Sequence, residues 1–114
     1  MSTDLNKLVM NALEDIKAKD IVNMDVSELT DVMDTLIIAS GTSSRHVKSV
    51  ANSVVVDAKK AGFKPLGVEG VDAGEWALVD FGDIVVHVFQ PSAREFYDLE
   101  KLWSMEPSSR SADD

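Results

Sequence analysis

The sequence predicts an α/β (α+β) fold, one small domain in which three helical segments accompany five strands. Three observations carry that expectation. Apolar residues recur at helical spacing in two long segments. Two apolar runs, residues 75–81 and 83–89, flank a Gly-Asp pair and read as a hairpin. A chain of 114 residues with 45% apolar content suits a single core.

Each element follows from its local chemistry. In the first helix, Leu5, Leu8, Val9, Ala12, Leu13 and Ile16 share one face, and Ser2, Thr3 or Asp4 can cap it. Residues 21–26 form a short strand, and residues 32–40 a second, ended by Gly41. Leu36, Ile37 and Ile38 stand in a row without polar alternation, as in a central strand buried on both faces. Thr42 or Ser43 caps the second helix. Its stripe is Val47, Val50, Ala51, Val54, Ala58 and Ala61, and Gly62 is its exit. Val54, Val55 and Val56 would also tolerate a strand, but the Ala-Lys-Lys-Ala-Gly exit favours the helix. Residues 64–70 are expected at a sheet edge, because Pro65 has no N–H for a ladder. Residues 70–74 form a loop. After the hairpin, Ser92 and Glu95 stand in capping-box spacing and open a third helix that runs to residue 103. Phe96, Leu99 and Trp103 form its core stripe. The domain is expected over residues 1–104, with a polar, disordered tail over 105–114.

Composition narrows the function classes. Cysteine is absent and histidine occurs twice, so disulfides and thiolate metal sites are excluded and a zinc site is disfavoured. No metal or cofactor is expected. The acidic start lacks the pattern of a signal or transit peptide, and no apolar run reaches membrane-span length. The expectation is a soluble protein that meets no membrane. A net charge of −9 argues against direct nucleic-acid binding and suits a basic protein partner, although solubility alone also accounts for it.

The hairpin sorts side chains onto two unlike faces. With a two-residue turn at Gly82-Asp83, Phe81 faces Ile84, Val79 faces Val86 and Ala77 faces Val88, giving one apolar face. The other face pairs Asp80 with Val85, Leu78 with His87 and Trp76 with Phe89. Asp80 and His87 become diagonal neighbours, so a couple is expected in which Asp80 raises the His87 pKa. Two readings of this face stand open. A helix covers it and the couple is a satisfied buried pair, or aromatic anchors beside a few polar groups make a binding surface. Arg94 and Tyr97, three apart on the third helix, are either a solvated flank or part of the same surface.

Catalytic readings are weaker. The turn from Ser40 to Arg45 runs from strand to helix, as phosphate-binding turns do, but it lacks the G-x-S-x-G and Walker spacings. Asp31 with Asp34, or Asp80 with Asp83, make poor magnesium pairs, and Asp57 lies on a helix. A nucleotidyltransferase-like enzyme is therefore the alternative, not the leading reading. Self-association through the edge strand or the mixed face is a further expectation.

Three segments together carry a family resemblance: DTLIIASGTSSRHVKSVAN, EGVDAGEWALVDFGDIVVHVF and REFYDLEKLW. Over roughly residues 4–104 the chain resembles the ribosomal silencing factor, or Iojap-related, family. The resemblance implies a mixed sheet flanked by helices, with a nucleotidyltransferase-like topology and no enzymatic activity. It implies binding to the large ribosomal subunit through ribosomal protein L fourteen, a steric block to joining of the small subunit, and repression of translation. Organellar relatives carry an N-terminal extension, so the expected location here is a bacterial cytoplasm. The family motif falls on Trp76, Leu78, Asp80, His87, Phe89, Arg94 and Tyr97, which are the expected partner-binding residues. A homodimer is compatible with that role.

Overall fold

The run without polar alternation sits where its composition requires. In the computed structural model, which describes residues 2–97, β2 (Thr35–Ser40) is the second strand of a five-stranded sheet. Leu36, Ile37, Ile38 and Ala39 all have 0% exposure, because helices or loops cover both faces of this strand. β1 (Lys19–Asp25) pairs with it antiparallel, and β5 (Ile84–Phe89) pairs with it in parallel. β4 (Trp76–Asp80) is antiparallel to β5, and β3 (Gly67–Glu69) antiparallel to β4. The order is β1-β2-β5-β4-β3, so the sheet is mixed. With α1 (Ser2–Asp15), α2 (Ser44–Lys60) and α3 (Pro91–Tyr97), the molecule is an α+β domain.

Alternation along the strands creates two cores. On one side Ile37, Ala39, Ala77, Val79, Ile84, Val86 and Val88 pack against Leu5, Val9 and Leu13 of α1 and the Val47–Ala58 stripe of α2. Each fully buried Val or Leu there contributes about 1.5–3 kcal/mol. On the other side Leu36, Ile38 and Phe89 cluster with Val26, Met33 and Ala93. This second core is smaller, and β4 lends it the partly buried Trp76.

Several boundaries differ from the sequence reading, each for a local reason. β2 begins at Thr35 rather than at 32, and Val32 is 82% exposed. Side chains turn the chain before it: Asp25 Oδ1 accepts from the Ser27 amide, and Thr30 Oγ1 from the Val32 amide. The strand then starts where the Asp34 and Thr35 amides both donate to the Asp83 carbonyl. β3 is a shorter edge strand than expected, and α1 already begins at Ser2, which puts Asp4 in its first turn. Ser43 caps α2, its hydroxyl accepting from the His46 amide at 3.1 Å. Ala61 closes that helix as an exposed C-cap instead of extending the stripe.

The third helix departs most. Pro91 is its first residue, and the Gln90 carbonyl accepts from the Arg94 amide, so Gln90 is the cap and the Ser92–Glu95 box is not. Phe96 is 80% exposed, not core. Ala93 is buried and Arg94 reaches inward to Ser40, so the inner side of α3 lies between residues 93 and 94. At about 100° per residue, Phe96 is turned more than a quarter circle away from that side. Leu99, Trp103 and the tail over 105–114 lie outside the described residues.

Candidate functional site

The hairpin has the expected register. Trp76 faces Phe89, Leu78 faces His87, and Asp80 faces Val85. The Phe81 amide donates to the Ile84 carbonyl at 2.9 Å, closing the two-residue turn. The mixed face is therefore real, but its polar groups are partnered differently from the expectation.

Asp80 and His87 do not form a couple. Asp80 Oδ1 accepts from the Gly82 amide at 2.8 Å, a contact two residues away that costs almost no chain ordering. His87 has a second diagonal neighbour, Trp76, and its Nδ1 accepts the indole N–H at 2.9 Å. The neutral imidazole thus carries its proton on Nε2. The pKa moves opposite to the expected direction: desolvation by burial lowers it from 6.5 to about 4. Without a carboxylate beside it, nothing offsets the cost of charging a ring mostly removed from water.

Phe89 is the second correction. It has 0% exposure, so it is a core residue beneath the face and not a contact residue on it. Its ring stacks under Trp76, with centroids 5.0 Å apart and planes at 26°. His87 lies nearly parallel to it at 6.0 Å. Trp76 is thus held by the Phe89 ring and by the His87 acceptor, a rigid mount worth about 0.5–1.5 kcal/mol beyond the buried area. Trp76, Leu78, Asp80 and His87 are all half-buried, neither sealed in the core nor fully solvated.

Arg94 is half-buried, and its Nη1 donates to the hydroxyl of buried Ser40 at 2.8 Å. It is therefore not a solvated flank. It ties α3 to the end of β2, beside the aromatic cluster. Tyr97 ends the described part of α3, and its side chain lies outside the described residues. The structure thus brings Trp76, Leu78, Asp80 and His87 onto one face and sets Phe89 beneath it.

The turn from Ser40 to Arg45 has little capacity left for a phosphate. The Gly41 amide donates to the Phe89 carbonyl, and the Thr42 amide to His46 Nδ1 at 2.9 Å. His46 Nε2 donates to the Ile16 carbonyl at 2.9 Å, clipping the end of α1 to the start of α2. A Cβ at Gly41 would meet Val47 at 2.8 Å, so the turn is packed from within. Among the described residues, no group of three or more His, Asp or Glu side chains could hold a metal ion. None of their helices is long and apolar enough to cross a membrane. Sequence reasoning missed His46 because its partner lies 30 residues away. It also missed Gln90, whose side-chain amide donates to the Gly74 carbonyl at 2.9 Å.

Comparison with known proteins places this architecture. Residues 1–114 match the family described as ribosomal silencing factor during starvation. The chain belongs to the ribosomal silencing factor family. It is 52% identical to the ribosomal silencing factor of Chromobacterium violaceum over 100 residues, which cover 88% of this chain and 82% of that one. A crystal structure of a C. violaceum protein, 50% identical, superimposes with a TM-score of 0.88 over 91% of this chain and 87% of that one. A structure from Bacillus halodurans, 35% identical, superimposes with a TM-score of 0.81 over 89% and 94% of the two chains. The mixed five-stranded sheet is thus shared with solved relatives.

Proposed function

We propose that this protein binds the large ribosomal subunit through ribosomal protein L fourteen and blocks joining of the small subunit, repressing translation in the cytoplasm. The observation that carries this reading is the aromatic mount of Trp76. A partly exposed indole is held from below by a buried phenyl ring and from the side by an imidazole acceptor. Large, rigid, amphipathic groups of this kind dominate binding energy, because little side-chain freedom remains to be lost on association. Leu78, Asp80 and His87 share the face, Arg94 adjoins it from α3, and the family motif adds Tyr97 to the proposed contact residues. Phe89 acts beneath them as support.

Charge favours a protein partner over the ribosomal RNA. A chain of net charge −9 is repelled by phosphates and attracted to a basic protein surface. No chemistry is required: a patch of about 800 Å² per partner suffices for specific binding, and occupancy alone excludes the other subunit. Sedimentation of the purified protein with isolated large and small subunits tests the reading. Co-migration with the large subunit only, at moderate salt, is the expected result. Absence from the large-subunit fraction would end it.

A further inference from the structure

The proposed partner face draws its contact groups from β4, β5 and α3, and one residue just after β5 bonds both to the segment before β4 and to the first turn of α3. The Gln90 amide donates to the Glu75 carbonyl at 2.9 Å, and its side-chain amide donates to the Gly74 carbonyl at 2.9 Å. Those are the two residues immediately before Trp76. The Gln90 carbonyl accepts from the Arg94 amide at 3.0 Å and starts α3. Both backbone groups and the side-chain amide of Gln90 are therefore engaged in joining the start of β4 to the first turn of α3.

The loop that Gln90 grips has no slack. Gly74 lies at φ +69, and a Cβ there would stand 2.8 Å from the Ser44 carbonyl oxygen at the start of α2. Its amide donates to the Gly70 carbonyl at 3.2 Å. Gly70, at φ +77, lies so close to the Trp76 carbonyl oxygen that a Cβ would strike it. The segment before Trp76 is thus wedged between α2 on one side and its own strand on the other, and the Gln90 side chain closes the third side.

We propose that Gln90 is a positioning residue for partner binding: it sets the separation of Trp76 and Arg94 without touching the partner. The inference rests on the reading that Trp76 belongs to the contact face. A glutamine suits the task because its neutral amide donates to a carbonyl in a half-buried place without adding charge. Glutamate has the same shape but cannot make that donation, and its carboxylate repels the Gly74 carbonyl.

The experiment is a double-mutant cycle on affinity for isolated large subunits, using Q90E, W76A and the pair, with Q90A as the second variant should Q90E not fold. Urea unfolding of each variant gives the folded fraction under the binding conditions. The Trp76 indole N–H resonance, identified by its loss in W76A, reports the bond to His87. Expected are about fivefold weaker binding by folded Q90E, the scale of one lost hydrogen bond, a shifted indole resonance, and no further loss when the substitution is added to W76A. Wild-type binding by Q90E or Q90A, with W76A impaired, would overturn the positioning role and leave the contact face intact. An equal loss in both backgrounds would also overturn it, because general loosening of the fold behaves that way. Wild-type binding by W76A would remove the contact face, and the positioning role with it.

Discussion

His87 makes stability depend on pH in a direction that separates the observed geometry from the one the residue types alone suggest. In the unfolded chain the imidazole titrates near 6.5; in the folded protein burial lowers its pKa to about 4. Between those values the unfolded chain holds a proton that the folded one does not, so stability falls as pH falls. The contribution is complete above 6.5 and is lost progressively down to about 4. Linkage across that gap gives a loss of about 2 kcal/mol at about pH 5 and about 3 kcal/mol below pH 4. His87→Asn is the matched control, since its Oδ1 can take the place of Nδ1 as acceptor for the Trp76 indole and does not titrate. Urea unfolding of both proteins from about pH 7 to about pH 4.5 measures the difference, in which every other titrating group cancels. The wild type is expected to lose about 2 kcal/mol more than the variant by about pH 5. Parallel curves would refute the desolvation argument. A relative gain by the wild type in acid would mean that an imidazolium pairs with Asp80 after all.

Three further outcomes are expected. Trp76→Ala retains a cooperative unfolding transition but weakens large-subunit binding by at least about 2 kcal/mol, roughly thirtyfold, as for an aromatic anchor; unchanged affinity would exclude the indole from the contact. Phe89→Ala removes a fully buried ring and costs about 3–5 kcal/mol in urea unfolding, and a loss under about 1 kcal/mol would contradict its place in the core. Gly70→Ala forces a side chain into the left-handed region against the Trp76 carbonyl, so thermal unfolding should show a loss of about 1–3 kcal/mol with altered Trp fluorescence; a neutral substitution would show that the loop before β4 is looser than its geometry.

The elements that were legible share one property, that their signal is local. The helical stripes of α1 and α2, the unbroken Leu36–Ile38 run and the Gly82-Asp83 turn depend on residues a few positions apart, and apart from the last stripe residues, Ile16 and Ala61, which lie just past their helices, they appear where the pattern put them. The two-residue turn also determined which residues of β4 and β5 share a face, because side chains alternate strictly once register is set. What the pattern could not rank was the choice between two diagonal neighbours of His87. Asp80 and Trp76 are equivalent diagonal neighbours in the hairpin register, and the chemistry of charge favours Asp80. The carboxylate instead serves its own turn, and the imidazole is left to the indole. The third helix misled for a similar reason: Phe96 looks like a core residue until Ala93 and Arg94 are seen to face inward.

The sequence by itself determined the order and type of the secondary-structure elements, the division of the hairpin into an apolar and a mixed face, and the family, since periodicity, turn chemistry and motif order are all properties of neighbours along the chain. Only the tertiary structure decided which member of the mixed face is buried, which partner each polar group takes, and that Gln90 joins β4 to α3. Those outcomes depend on which groups the fold brings within hydrogen-bonding reach in a crowded, poorly hydrated space. Distance in space and access to water are quantities that the linear order of residues does not contain.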